Sequence, residues 1–169
     1  MKTKQQLGFT ILELLITILI VGIVSILAVP GMNQFVMNER LTSTTNTLLT
    51  DLMLARSKAV EQNLPTIVCV STNQTNCTAG TFSDGWIVGV DENNDGGLDA
   101  AELIKVQQPI SGSISFTSSV GASIQFDNRG FNPGAVGLIS VCDERGVDHA
   151  RSLSISRTGR ISRGGTPVC

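Results

Sequence analysis

GFTILELLITILIVGIVSILAVP, residues 8–30, is the stretch on which the fold turns. From Phe9 to Val29 the only charged residue is Glu13, and as a helix those twenty-one residues are long enough to cross a hydrocarbon core. Lys2 and Lys4 stand before the run and orient that end toward the cytoplasm. A secretory signal would be shorter and would end at a small-residue cleavage site. Here the apolar run continues into a second helical pattern, so it reads as retained rather than removed. Glu13 needs a reason, because a carboxylate in an apolar segment costs a few kcal/mol unless it has a partner.

Outward from this run, the pattern from Met32 to Leu64 is helical. Leu41, Thr45, Leu48, Leu52, Ala55 and Ala59 recur in steps of four and three along one face, and Leu64-Pro65 closes the helix. Pro30 removes a backbone hydrogen bond and is expected to kink the helix where it leaves the bilayer. Beyond Pro65 the period drops to two. Thr66–Val70, Trp86–Val90, Leu103–Val106, Ser123–Phe126, Leu138–Cys142 and Leu153–Ile155 read as short strands between Gly, Asn, Asp and Pro turns. Trp86 is expected as a core anchor against the helix stripe. The expected architecture is α+β: a long N-terminal helix, with a membrane or filament half and an amphipathic half, packed on an antiparallel β-rich C-terminal domain.

At 169 residues the chain holds one sizeable core plus an extension, and its few aromatics, six Phe and one Trp, favour a β-rich domain. The net charge of −2 identifies no partner by itself. Cys69, Cys77, Cys142 and Cys169 show no CxxC or Cys/His spacing, which disfavours zinc. Their even number suits disulfides formed outside the cytoplasm, with three possible pairings. Cys69–Cys77, around the turn-rich TNQTN, and Cys142–Cys169, pinning the tail, are favoured over buried free thiols.

Gly8-Phe9-Thr10-Ile11-Leu12-Glu13-Leu14-Leu15 resembles the processing motif of type IV prepilins. The resemblance implies cleavage by a prepilin peptidase between Gly8 and Phe9, N-methylation of Phe9, and an assembly role for Glu13, pairing with the terminal amine of a neighbouring subunit. Ile11-Leu12 reverses the usual order of the two aliphatics, a swap of equal volume. The resemblance also implies a segment at Pro30 able to unwind in the filament, and the division of the chain: a leader at 1–8, a pilin helix at 9–64 with 9–29 transmembrane, and a globular domain at 65–169. The second half resembles FimT/FimU minor pilins and the H-type pseudopilins of type II secretion in Asp84-Gly85-Trp86, the acidic loop, the Cys142 strand and Gly159-Arg160. The implied partners are major and minor pilins, the inner membrane and its assembly platform. The implied location is a single-pass inner-membrane protein with a periplasmic domain, later on the pilus or cell surface of a Gram-negative-type bacterium.

Two further features carry chemistry. Asp91, Asn93, Asp95, Asp99 and Glu102, with Gly96 at the turn, fit the spacing of a calcium loop. The entering segment is a strand rather than a helix, however, so a solvated hairpin without a cofactor is the expectation. Second, no Lys or Arg occurs between Glu61 and Glu102, whereas His149 to Cys169 holds Arg151, Arg157, Arg160 and Arg163 and no acid. Such asymmetry can hold a polyanion on an acidic protein. FimT-type minor pilins that bind DNA in natural transformation carry a Gly-Arg-x-Arg tail, and Gly159-Arg160-Ile161-Ser162 matches it with Arg163 one place late. The resemblance implies a double-stranded DNA site of Arg157, Arg160 and Arg163, helped by Lys105 and Arg145, reading phosphates without sequence preference. His149, the only histidine, has no nucleophile at a recognisable spacing. The function expected is a non-enzymatic minor pilin contributing to DNA uptake; a purely structural priming subunit and an H-type pseudopilin are the alternatives.

Overall fold

The computed structural model describes residues 9–169, and the backbone alone at 27–30. One helix, α1, spans Ile11–Gln62. Thr10 caps it: its hydroxyl accepts the Glu13 N–H at 3.2 Å, which satisfies one of the donors left unpaired at a helix start. The helix ends where Asn63 takes φ 57°, a left-handed conformation that asparagine tolerates at this position, just ahead of Pro65. Two compact units follow from the contacts, one ending at Asn38 and one spanning Glu39–Cys169.

In the first unit the apolar side chains have no protein cover. Phe9 and Ile11 are 82% exposed, and Leu12 through Ile26 present their aliphatics outward. No single straight helix among the described residues is long and apolar enough to cross a membrane. The bent pair Ile11–Ile26 and Gly31–Gln62 passes that test by length and composition.

The second unit packs the remainder of α1 on two four-stranded antiparallel sheets. Strands β1 (Thr66–Val70), β2 (Trp86–Val90), β3 (Leu103–Gln107) and β5 (Ser123–Phe126) form the first, in the order β3-β2-β1-β5. Strands β4 (Ser115–Ser118), β6 (Gly137–Cys142), β7 (Arg151–Ile155) and β8 (Ile161–Arg163) form the second, in the order β4-β6-β7-β8. All six residues of the helix stripe are buried, five of them completely, and they meet inward side chains of both sheets. Phe82, Trp86 and Phe116 join the two sheets in a ring of aromatic contacts with centroids 6.1 Å apart. Each such pair adds about 0.5–1.5 kcal/mol beyond simple area burial.

The apolar run of β1 follows from its central place, because it is covered on both faces. Val68 and Val70 face the helix, while Ile67 and Cys69 join Ile87 and Leu98 in a smaller outer cluster. Leu98, from the acidic loop, lies over Gly89. A β-carbon there would come within 2.7 Å of both the leucine and the Glu102 carbonyl oxygen, and the backbone contact makes glycine the residue that lets the loop close on the sheet. The disulfide Cys69–Cys77 borders this cluster, and Cys142–Cys169 ties the C-terminal tail to β6. Both bridges are the pairings that the sequence favours. Strands β4 and β8 were absent from the sequence expectation, and the helix closes at Gln62, two residues ahead of Leu64.

Candidate functional site

Leu48, Leu52 and Ala55 face the core, and the neighbouring flank of α1, running through Thr42, Asn46, Met53, Arg56 and Val60, borders the second sheet. Arg56 organises its lower part. Its Nε donates to the Gly130 carbonyl at 3.0 Å and its Nη2 to the Thr158 carbonyl at 3.2 Å, so one guanidinium holds the turn after β5 and the turn between β7 and β8. These turns meet closely: at Gly159, φ is 69° and a β-carbon would lie 1.9 Å from the Gly130 carbonyl oxygen. The glycine of Gly159-Arg160 thus has a steric role, since only glycine permits that approach.

Around this scaffold the tail arginines separate. Arg160 borders a groove with Met53, Arg56, Ser57, Val60, Glu61 and Ile161, and Glu61 is paired with Lys58. Arg163, on β8, reaches up the helix and donates from Nη2 to Asn46 Oδ1 at 2.5 Å. Asn46 and Ser57 are eleven residues apart on the helix, roughly 16 Å along its axis, so the two arginines meet α1 at different levels of the same flank. An extended strand would put residues three apart on opposite faces, but Arg160 precedes β8, in the turn held by Ser156, and both reach the helix side. Arg157 is exposed on that turn.

Lys105 and Arg145 are engaged elsewhere. Lys105 Nζ lies 2.5 Å from Oδ1 of Asp51, a fully buried carboxylate whose Oδ2 accepts the Trp86 indole N–H at 2.9 Å. Asp51 so links α1, β2 and β3, and a buried charge of this kind is tolerated because both oxygens are satisfied. Arg145 closes on Asp143 with 2.9 and 2.6 Å contacts from Nε and Nη2, and the pair is nearly buried. The arginine's hydrogen bonds hold the Asp143 carboxyl below its ordinary value against the upward push of burial. Both cations are thus paired with carboxylates, and Lys105 borders a separate pocket with Glu39, Thr42 and Asn46.

The acidic loop satisfies itself. Asp91 Oδ1 and Oδ2 accept the N–H groups of Asp95 and Gly96, and Glu102 accepts those of Glu92, Asn93 and Asp99. Among the described residues no group of three or more His, Cys, Asp or Glu is placed to hold a metal ion. Asp99 is exposed, apart from the carboxylates that bind backbone. His149 lies exposed in a short 3-10 turn, Val147–His149, and its carbonyl accepts from Arg151.

At the processing end, Phe9 and Glu13 are both exposed, and Gly8 lies outside the described residues. Thr10 and Asp51 are functional supports that the sequence reading did not single out. Thr10 was legible as Thr-x-x-Glu, the N-cap signature, and Asp51 as an acid interrupting an apolar helix face.

With this geometry in place, comparisons with known proteins give the same picture. No curated protein matches the chain significantly. The crystal structure of the type IV minor pilin FimU from Pseudomonas aeruginosa (strain PAO1), in one crystal form, superposes with a TM-score of 0.62 at 21% identity, covering 78% of this chain and 93% of that one. A second crystal form gives 0.59 and 22%, covering 75% and 94%. At these identities the likeness concerns the fold. Residues 3–29 match the prokaryotic N-terminal methylation motif. Residues 44–159 match the model of the type II transport protein GspH, and with more than half of its length so matched, the chain belongs to the GspH family of pilin-like proteins.

Proposed function

We propose that the chain is a minor pilin of a type IV pilus, assembled into the pilus or its tip complex, which contacts DNA during uptake. It is cut after Gly8, methylated on Phe9 and held in the inner membrane by its apolar helix, with the globular domain in the periplasm. Glu13 then pairs with the terminal amine of a neighbouring subunit as the helix leaves lipid for filament. Its work is recognition and assembly, with no catalysis. The observation that carries the DNA reading is the set of exposed arginines Arg157, Arg160 and Arg163, none of which joins any ion pair found among the described residues. No aromatic side chain lines the clefts that Arg160 and Arg163 border, so these two suit phosphates rather than bases.

The test is a titration of the full-length protein, in detergent micelles, against duplexes of unrelated sequence at several salt concentrations. Binding should weaken as salt rises, and Arg160→Gln should lower the salt slope by about one unit on every sequence. Absence of any salt-dependent binding would leave a purely structural pilus subunit. The GspH match favours a second reading, an H-type pseudopilin of a type II secretion system. Deleting the gene separates the two: loss of pili with secretion intact supports the pilus, and the converse supports secretion.

A further inference from the structure

A cleft of about 250 Å³ opens where the tail leaves β8, lined by Thr42 and Asn46 of α1, Arg151 and Ser152 of β7, and Arg163 with the glycines that follow it. Arg163 pairs opposite Leu153 in the β7–β8 register, which puts Arg151 one diagonal step away on the same face. Both side chains therefore leave the helix side of the sheet, and both border the cleft. No acidic residue lines the cleft, and neither arginine joins an ion pair found among the described residues. Two like charges converging on a partly enclosed space without a counter-ion repel each other, and a bound anion relieves that repulsion.

The donors identify the anion. Arg151 spends Nη1 on the carbonyls of His149 and Ala150, and Arg163 spends Nη2 on Asn46, which leaves each side chain anchored with its other N–H groups available. Donors arriving from two strands, beside the Thr42 hydroxyl, suit a tetrahedral, doubly charged oxyanion better than a flat carboxylate. The wall is also fixed in advance. Gly164 N–H binds the Ser152 carbonyl at 3.0 Å, Ser152 Oγ donates to the Gly165 carbonyl at 3.1 Å, Val168 N–H binds Ser140 Oγ at 3.0 Å, and Cys169 is bonded to Cys142. We propose that Arg151 and Arg163 form a seat for one phosphate group, kept in shape by the disulfide-pinned tail. Arg151, outside the Gly159-Arg160 motif, becomes a binding residue in its own right, and Arg157 stands outside the seat.

The phosphate can be free or part of a nucleic-acid backbone, and the experiment separates the two. Full-length protein in micelles is titrated with inorganic phosphate while the backbone amide signals of Thr42, Asn46, Ser152 and Gly164 are followed by NMR. The titration is repeated in the presence of duplex DNA. Phosphate should move those signals, Arg151→Gln and Arg163→Gln should each weaken it about tenfold or more, and Arg157→Gln should leave it unchanged. The paired change Cys142→Ser and Cys169→Ser should weaken it as well, because a loose wall must be ordered on binding. Melting temperatures without phosphate, measured on the same variants, distinguish a lost seat from a lost fold. Phosphate that competes with DNA makes the seat a backbone contact, and phosphate that binds without competing makes it a site for the free ion; both support the proposal. DNA binding without phosphate binding, or variants that bind phosphate as the parent does, overturns the seat and leaves the DNA reading on Arg157 and Arg160. Absence of both kinds of binding overturns both.

Discussion

Residues 11–26 and 41–59 belong to the same helix and differ in how their apolar side chains are used. In the first stretch twelve of sixteen residues are Ile, Leu or Val and every residue is exposed; in the second the aliphatics are fewer, and those on one stripe are inaccessible to solvent. Burial is thus not proportional to apolar content. The second stretch spaces its side chains so that they fall on one face and finds cover within its own chain. The first is apolar all round, a pattern that no single protein surface can cover, so its cover comes from lipid or from several neighbours at once. The hydrophobic effect stabilises the fold through one stretch and location and assembly through the other.

The largest effect expected from disturbing this division is on processing. Gly8→Leu should leave residues 1–8 attached and keep the first stretch out of the filament, read as intact mass after purification; a mature mass would show that the leader is removed without a glycine at position 8. Next, Leu48→Ala removes a fully buried stripe residue and should destabilise the domain by about 2–5 kcal/mol in denaturant unfolding. Leu15→Ala, in the first stretch, should change the same measurement by less than about 0.5 kcal/mol. Comparable losses at the two sites would mean that both stretches are covered within the chain. The double change Cys142→Ser and Cys169→Ser opens a closure of 27 residues and should lower stability by about 3 kcal/mol, detected as a lower thermal midpoint.

The smallest effect concerns acid. Arg145 holds the Asp143 carboxyl below its ordinary 3.8, so the stability this pair contributes is complete above that value and disappears as the pH falls through the lower folded one. Arg145→Gln should therefore reduce stability at neutral pH and flatten its fall on acidification below about pH 4. An unchanged slope would mean that other carboxylates set the acid limit of the domain.

Much of the fold was legible because its signals are local. The helix stripe needs only a period, and β1, β2 and β5 occur where runs of apolar residues end at Gly, Asn or Pro. β4 escaped because its Ser-Phe-Thr-Ser is mostly polar, although Ile114 and Phe116 alternate into the core. β8 escaped because three residues are too few to show a period. The site was harder to read. Which cations are open and which are closed depends on Asp51 meeting Lys105 across 54 residues, whereas Asp143 is only two residues from Arg145 and the burial of that pair is a tertiary fact. Likewise the arginine cleft exists because β7 pairs with β8 beside a helix turn more than a hundred residues away in sequence.

The Cys142–Cys169 bridge has a mechanical consequence. A subunit in a filament that is extended and pulled carries tension, and a domain that unravels under tension lengthens its filament by the span of chain it releases. The bridge makes residues 143–168 a closed loop that cannot lengthen while the bond holds. This removes about 90 Å of the possible extension at the contour length of an extended chain. Cys69–Cys77 removes roughly 25 Å more by the same reckoning. Oxidation thus limits how far the domain can stretch, independently of how much it stabilises the folded state.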